Sequence, residues 1–223
     1  YLTYTTDSAT TNRILADYRT LVGVKMAEGL RGFQKGSNSH GLLFRQQAYN
    51  PPMDVIGSAE YFHIPEDEQH DEYRLITASS GANLHDRNLV TAEQFTLGLT
   101  PMQNTLDTLR VGFDLMATGG VNNFFYHGLS YPYGKGSAQY GENGWAAFPT
   151  IGVNMTEDNT LAPYFGQLNA YASRLNYLMQ QGDPSRDVAV YAPYNTRAVA
   201  TGATPTLNAN GYAWDVINDK SIQ

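Results

Sequence analysis

Three glutamates stand where a carboxylate could act on a substrate: Glu93, Glu66 and Glu68. Glu93 closes the stretch Asn88-Leu89-Val90-Thr91-Ala92-Glu93, whose apolar and β-branched residues favour a short buried strand. Helix-like segments lie before and after it. A carboxylate at the C-terminal end of a strand between helices is where α/β barrels place catalytic groups, although a strand-end glutamate can equally be a surface residue. Glu66 and Glu68 fall in an acidic stretch, 58–69, which reads as a loop and also holds Glu60, Asp67 and His63, with His70 just beyond. Such a stretch could hold a hard cation such as calcium, bind a sugar, supply an acid, or simply be solvated. It lacks EF-hand spacing, and the histidines lack the helical spacing of a zinc site.

Polar and aromatic candidates accompany the carboxylates. Residues 41–49 begin as a uniformly apolar strand and turn polar, and alternation puts Arg45, Gln47 and Tyr49 on one side. Residues 121–128 form another strand with His127 at its end, as Glu93 ends the strand before. The segment 128–161 is long and rich in Gly, Tyr and Pro, and a loop of that length inside a domain is usually functional. Its Tyr131 and Trp145 could stack on sugar faces, or pin the loop to the scaffold.

The elements that would position these residues alternate. Amphipathic spacing predicts helices over 17–33, 71–85 and 163–181. A fourth helix ends at Gly119-Gly120, with Thr100 as its N-cap and Pro101 in its first turn. Residues 187–191 make a further strand. Helix and strand in turn imply a parallel sheet. Neither a G-x-G-x-x-G turn nor a G-x-S-x-G elbow follows any strand, which weakens a dinucleotide fold and a serine hydrolase. The expected class is α/β, part of a (β/α)8 TIM-type barrel. Only about four βα units are visible, so residues 1–186 read as the C-terminal part of a barrel and 187–223 as the start of a further α/β domain.

Composition narrows the partners. The net charge of −7, with no basic run, disfavours nucleic acid. The absence of cysteine excludes disulfides, thiolate metal sites and a cysteine nucleophile, and no apolar run reaches membrane-spanning length.

The ordered set R-Q-Q-A-Y, I-P-E-D-E, L-V-T-A-E-Q-F-T, F-F-Y-H-G, Y-F-G-Q-L-N-A-Y-A-S-R-L-N-Y-L-M-Q-Q-G, D-V-A-V-Y and G-Y-A-W-D-V-I-N-D resembles the α-L-rhamnosidases of glycoside hydrolase family 106 over most of 17–219. The resemblance implies a large secreted or periplasmic enzyme that cleaves α-L-rhamnosides of plant or algal glycans with inversion. It implies calcium near the site in some members. By position, Glu93 matches the water-activating glutamate, Glu66 and Glu68 an acidic pair lining the pocket, and Arg45, Gln47 and His127 sugar-facing positions. The general acid is Glu66 or Glu68, or lies upstream of Tyr1. The 128–161 loop has no counterpart, which leaves substrate choice open. The expected partners are a carbohydrate and the remainder of the polypeptide or barrel. The alternatives are a non-catalytic carbohydrate-binding relative, or a structural subunit that completes its barrel with a partner chain.

Overall fold

The computed structural model describes residues 7–47, 53–68, 72–95, 104–128, 153, 155, 157, 159–193 and 203–222. Helix α1 (Ser8–Ser39) starts nine residues before the periodicity predicts, because the Asp7 carboxylate accepts a 2.7 Å hydrogen bond from the Thr10 N–H and caps it. His40 ends the helix. Strand β1 (Arg45–Gln47) follows, then the short helix α2 (Val55–Ser58) capped by Asp54.

The acidic stretch read as a loop contains a strand, β2 (Ile64–Asp67). Two carboxylates and a proline hide it from a propensity reading. Pro65 fits because the register with the next strand begins one residue later, at Glu66, so its missing N–H falls ahead of that ladder. Helix α3 (Glu72–Leu84), strand β3 (Thr91–Gln94), helix α4 (Leu106–Thr118) and strand β4 (Asn123–Tyr126) continue the alternation. The cap of α4 is Thr105 rather than Thr100: its hydroxyl accepts from the Thr108 N–H at 3.1 Å. Pro101 lies outside the described residues.

The four strands form one parallel sheet in the order β1-β2-β3-β4. Helix α5 (Phe165–Met179) leads to β5 (Val188–Tyr191), α6 (Thr204–Ala209), β6 (Trp214–Ile217) and α7 (Asp219–Ile222). Strands β5 and β6 pair in parallel as a second, two-stranded sheet. The sequence places no individual helix or strand within 192–223, the stretch expected to begin a further α/β domain, and α6, β6 and α7 occupy it. Among the described residues the strands form an open sheet, and a closed barrel is not seen.

The helices explain one face of the main sheet. Phe113, Leu109 and Met116 of α4 are fully buried against Ala92, Phe124 and Tyr126, with Leu168 and Ala172 of α5 completing the cluster. The rings of Phe113 and Phe124 lie 5.0 Å apart. Gly119 and Gly120 let this layer close on α3, since a Cβ at Gly119 would stand 2.5 Å from the Leu75 Cβ. The outer side of α3 carries the second sheet, where Ile76 meets Val190, Trp214 and Val216 and the Tyr73 ring stacks on Trp214 at 6.0 Å. Asp215 ties this layer down: it pairs with Arg186 at 3.1 Å and accepts from Ser80 Oγ at 3.0 Å and from Asn83.

Candidate functional site

Strand alternation sorts the sheet residues onto two faces, and paired residues share a face. Gln46, Pro65, Asp67, Ala92, Gln94, Phe124 and Tyr126 fall on the helix side. Gln94 Nε2 donates to the Gly112 carbonyl of α4 at 2.9 Å, and Asp67 meets Arg74 of α3 at 3.3 Å. The register places Gln47 beside Glu66, Glu66 beside Thr91, Thr91 beside Asn123, and Glu93 beside Phe125. The other face therefore gathers Arg45, Gln47, Ile64, Glu66, Thr91, Glu93, Asn123 and Phe125.

Side chains span this face. The Arg45 guanidinium carbon, on β1, lies 4.2 Å from the centroid of the Phe125 ring on β4. Three inter-strand spacings of about 4.8 Å, roughly 14 Å, separate strands that far apart in a sheet, so the two long side chains reach toward each other over β2 and β3.

Glu66 is 4% exposed. Its Oε2 accepts from the Thr91 hydroxyl at 2.7 Å and meets Arg45 Nε at 3.3 Å. Burial pushes its carboxyl above the ordinary range; the Thr91 hydrogen bond and the Arg45 charge oppose that shift, and the neighbouring Glu93 charge adds to it. Glu93 is half-buried, and its Oε2 accepts from Gln47 Nε2 at 2.7 Å. Glu93 sits one strand across and two residues along from Glu66, an offset of roughly 8 Å between Cα atoms by strand geometry. Two carboxylates in different surroundings on one face can divide the roles of acid and base.

The other expected residues divide. Arg45 and Gln47 join the glutamates on the site face. Glu68 lies just past the end of β2, and its N–H donates to Asp67 Oδ1 at 2.7 Å. His127 follows β4 and prolongs the ladder, its N–H donating to the Gln94 carbonyl at 2.8 Å. Tyr49, Tyr131 and Trp145, like His70 and most of the 128–161 loop, lie outside the described residues.

The acidic stretch is dispersed. Glu60 pairs with Lys220, Asp67 turns to α3, and His63 Nδ1 accepts from the Phe44 N–H at 2.8 Å. Among the described residues no three carboxylates or histidines converge on one point. Strand alternation is the cause, since it sends Glu66 and Asp67 to opposite faces.

Two residues at the site went unread in the sequence. Thr91 counts there only as a β-branched strand former, yet it stands two positions from Glu93, on the same face. Phe125 is flanked by two core aromatics and looks like a third.

The sequence matches the alpha-L-rhamnosidase model of glycoside hydrolase family 106 over residues 15–223. No curated protein sequence matches the chain. Among solved structures, the rhamnosidase from Novosphingobium sp. PP1Y superposes with a TM-score of 0.68 at 20% identity, covering 95% of this chain and 21% of that one. The likeness shows a shared fold, and the present chain spans about a fifth of the length of that enzyme. The family match extends over nearly the whole chain and takes in all four strands of the main sheet, so the chain belongs to the alpha-L-rhamnosidase family, glycoside hydrolase family 106.

Proposed function

We propose that this chain is the catalytic-barrel portion of an enzyme that hydrolyses α-L-rhamnosides with inversion, with Glu93 as general base and Glu66 as general acid. The observation that carries the reading is the pair itself: two glutamates on the same face of a parallel sheet, offset by one strand and two residues, in unlike surroundings. Inversion needs one carboxyl group as acid and one as base, with room for a water opposite the leaving group. The pair supplies the two groups, and the inverting outcome is taken from the family resemblance.

Each group has a role its surroundings favour. Burial keeps Glu66 protonated to higher pH, as an acid must be before it gives its proton to the glycosidic oxygen. Once it has done so, Thr91 and Arg45 stabilise the carboxylate left behind. Glu93 takes the proton from water as the water oxygen attacks the anomeric carbon, and the Gln47 amide orients the accepting carboxylate. Glu68 and His127 would border the substrate at the strand ends.

The wider reading rests on the family. Export to the periplasm or medium, a plant or algal glycan as substrate, and a division into 1–186 and 187–223 belong to the proposal. The second sheet on the outer side of α3 is the part that the latter division would separate. Calcium finds no ligand set among the described residues. Loss of activity in a chelator, restored by calcium, would place its ligands elsewhere in the protein.

The test is stereochemical. Proton NMR during hydrolysis of an activated α-L-rhamnoside by the intact protein should show the β-anomer of L-rhamnose first. First appearance of the α-anomer would refute inversion.

A further inference from the structure

Phe125 is not accounted for by the core. Its neighbours Phe124 and Tyr126 pack into the cluster with Phe113, at 5.0 and 5.7 Å between ring centroids. Phe125 alternates to the opposite face and is 38% exposed. It is the one aromatic among the described strand residues of that face, where Arg45, Gln47, Glu66, Thr91, Glu93 and Asn123 are polar and Ile64, beside Arg45, is the other apolar residue. The register sets it directly beside Glu93. The Arg45 guanidinium lies 4.2 Å from the ring centroid, and the side chain stays partly exposed. Covering that exposed apolar area with an apolar group of a ligand would be favourable.

Rhamnose supplies such a surface. It is 6-deoxymannose, a ring with hydroxyls on three carbons and a methyl group where mannose carries CH2OH. A ligand held by Glu93 beside Phe125 would cover the ring with its apolar corner. We propose that Phe125 is the specificity-determining residue of this site: its exposed ring takes the C6 methyl of the sugar and discriminates 6-deoxy sugars from their 6-hydroxy counterparts. The inference rests on the glycosidase reading for its catalytic readout, and its own readout is the choice between two sugars.

The chemistry predicts the scale. A methyl-sized difference in an apolar pocket is worth about 10- to 200-fold in kcat/KM, and an added hydroxyl is rejected by about a hundredfold at most. The intact protein is assayed with p-nitrophenyl α-L-rhamnoside and α-L-mannoside, which differ only at C6. The wild type should prefer the rhamnoside. Phe125→Ala should lower that preference about tenfold, through the rhamnoside kcat/KM. Phe125→Leu, still apolar, should retain most of it. Phe125→Tyr, which keeps the ring and adds a hydroxyl, should shift selectivity toward the mannoside, and it covers the case in which the alanine variant fails to fold. An unchanged ratio in Phe125→Ala, or an equal fall on both substrates, overturns the proposal. Calorimetric binding of free L-rhamnose and L-mannose separates the two readings. If neither glycoside is hydrolysed, the glycosidase reading fails; a preference for L-rhamnose that Phe125→Ala abolishes still supports the inference. Equal wild-type binding of the two sugars overturns it.

Discussion

Replacing Glu93 by glutamine isolates its proposed chemistry from its structural contacts. The substitution preserves shape, and the new amide carbonyl can still accept from Gln47 Nε2, now 2.7 Å from the carboxylate. Losing the charge on that hydrogen bond should cost only about 1 kcal/mol of stability, the difference between charge-assisted and neutral bonds. Removing a neighbouring negative charge also relieves Glu66, whose carboxyl Glu93 pushes upward. Fold and ground-state binding should therefore survive. The amide cannot take a proton from water, so turnover should fall by about 10²- to 10⁴-fold, the scale of general base catalysis, or about 3–5 kcal/mol in the barrier. The assay is steady-state hydrolysis of an activated rhamnoside by the intact protein, with product affinity measured in parallel. A mutant with low kcat and near-normal affinity fits an interaction made only in the transition state. Wild-type turnover would show that Glu93 is not the base and move the search to Glu66 and Glu68. Loss of binding with retained kcat would make Glu93 a substrate contact.

Three further outcomes test the scaffold around the pair. Thr91→Val keeps the buried shape but removes the hydroxyl that stabilises the Glu66 carboxylate; it should cost about 1.5–3 kcal/mol where Glu66 is ionised, and the activity limb set by Glu66 should move to higher pH. An unmoved limb in the pH–rate profile would detach Thr91 from the acid. Burial raises the Asp54 carboxyl above its ordinary 3.8, against the Gly57 N–H, Lys220 and Asn218. A raised folded-state value means the contribution is fully present below 3.8 and lost as pH rises through that folded-state value. Asp54→Asn, an equally good helix cap, should flatten the fall in thermal midpoint above pH 3.8, and an unaltered slope would contradict this. Gly119→Ala should destabilise by about 1–3 kcal/mol, because its Cβ would meet the buried Leu75 Cβ at 2.5 Å; a thermal midpoint equal to that of the wild type would refute the clash.

The parallel αβ alternation was legible because apolar periodicity reports burial directly. The α4 residues Leu109, Phe113 and Met116 form one stripe, and all are fully buried. Strand β2 was not legible, since what makes it a strand is pairing on both sides rather than its own residues. Ile-Pro-Glu-Asp has poor β propensity, but Arg45, Thr91 and Arg74 receive its two carboxylates. Arg74 is a near neighbour in sequence, but Arg45 and Thr91 reach Glu66 only once β1 and β3 are folded into register on either side of it, 25 residues away in the case of Thr91.

The same limit decides what could be known of the site. Alternation within one strand is a local property, so Arg45 and Gln47 could be placed together, and the strand-end position of Glu93 could be read directly. Which residue of β2 stands beside which residue of β3 is a property of register. Only the pairing of Glu66 with Thr91 distinguishes Glu66, enclosed among donors, from Asp67, turned to the helices, and Glu68, beyond the strand end. Register also separates the three consecutive aromatics of β4 into two that build the core and one that faces the glutamates. A run of three acidic residues and a run of three aromatic residues each look uniform in sequence. A strand's two-residue period divides both, and Glu66 and Phe125 are the members that fall on the face of Glu93.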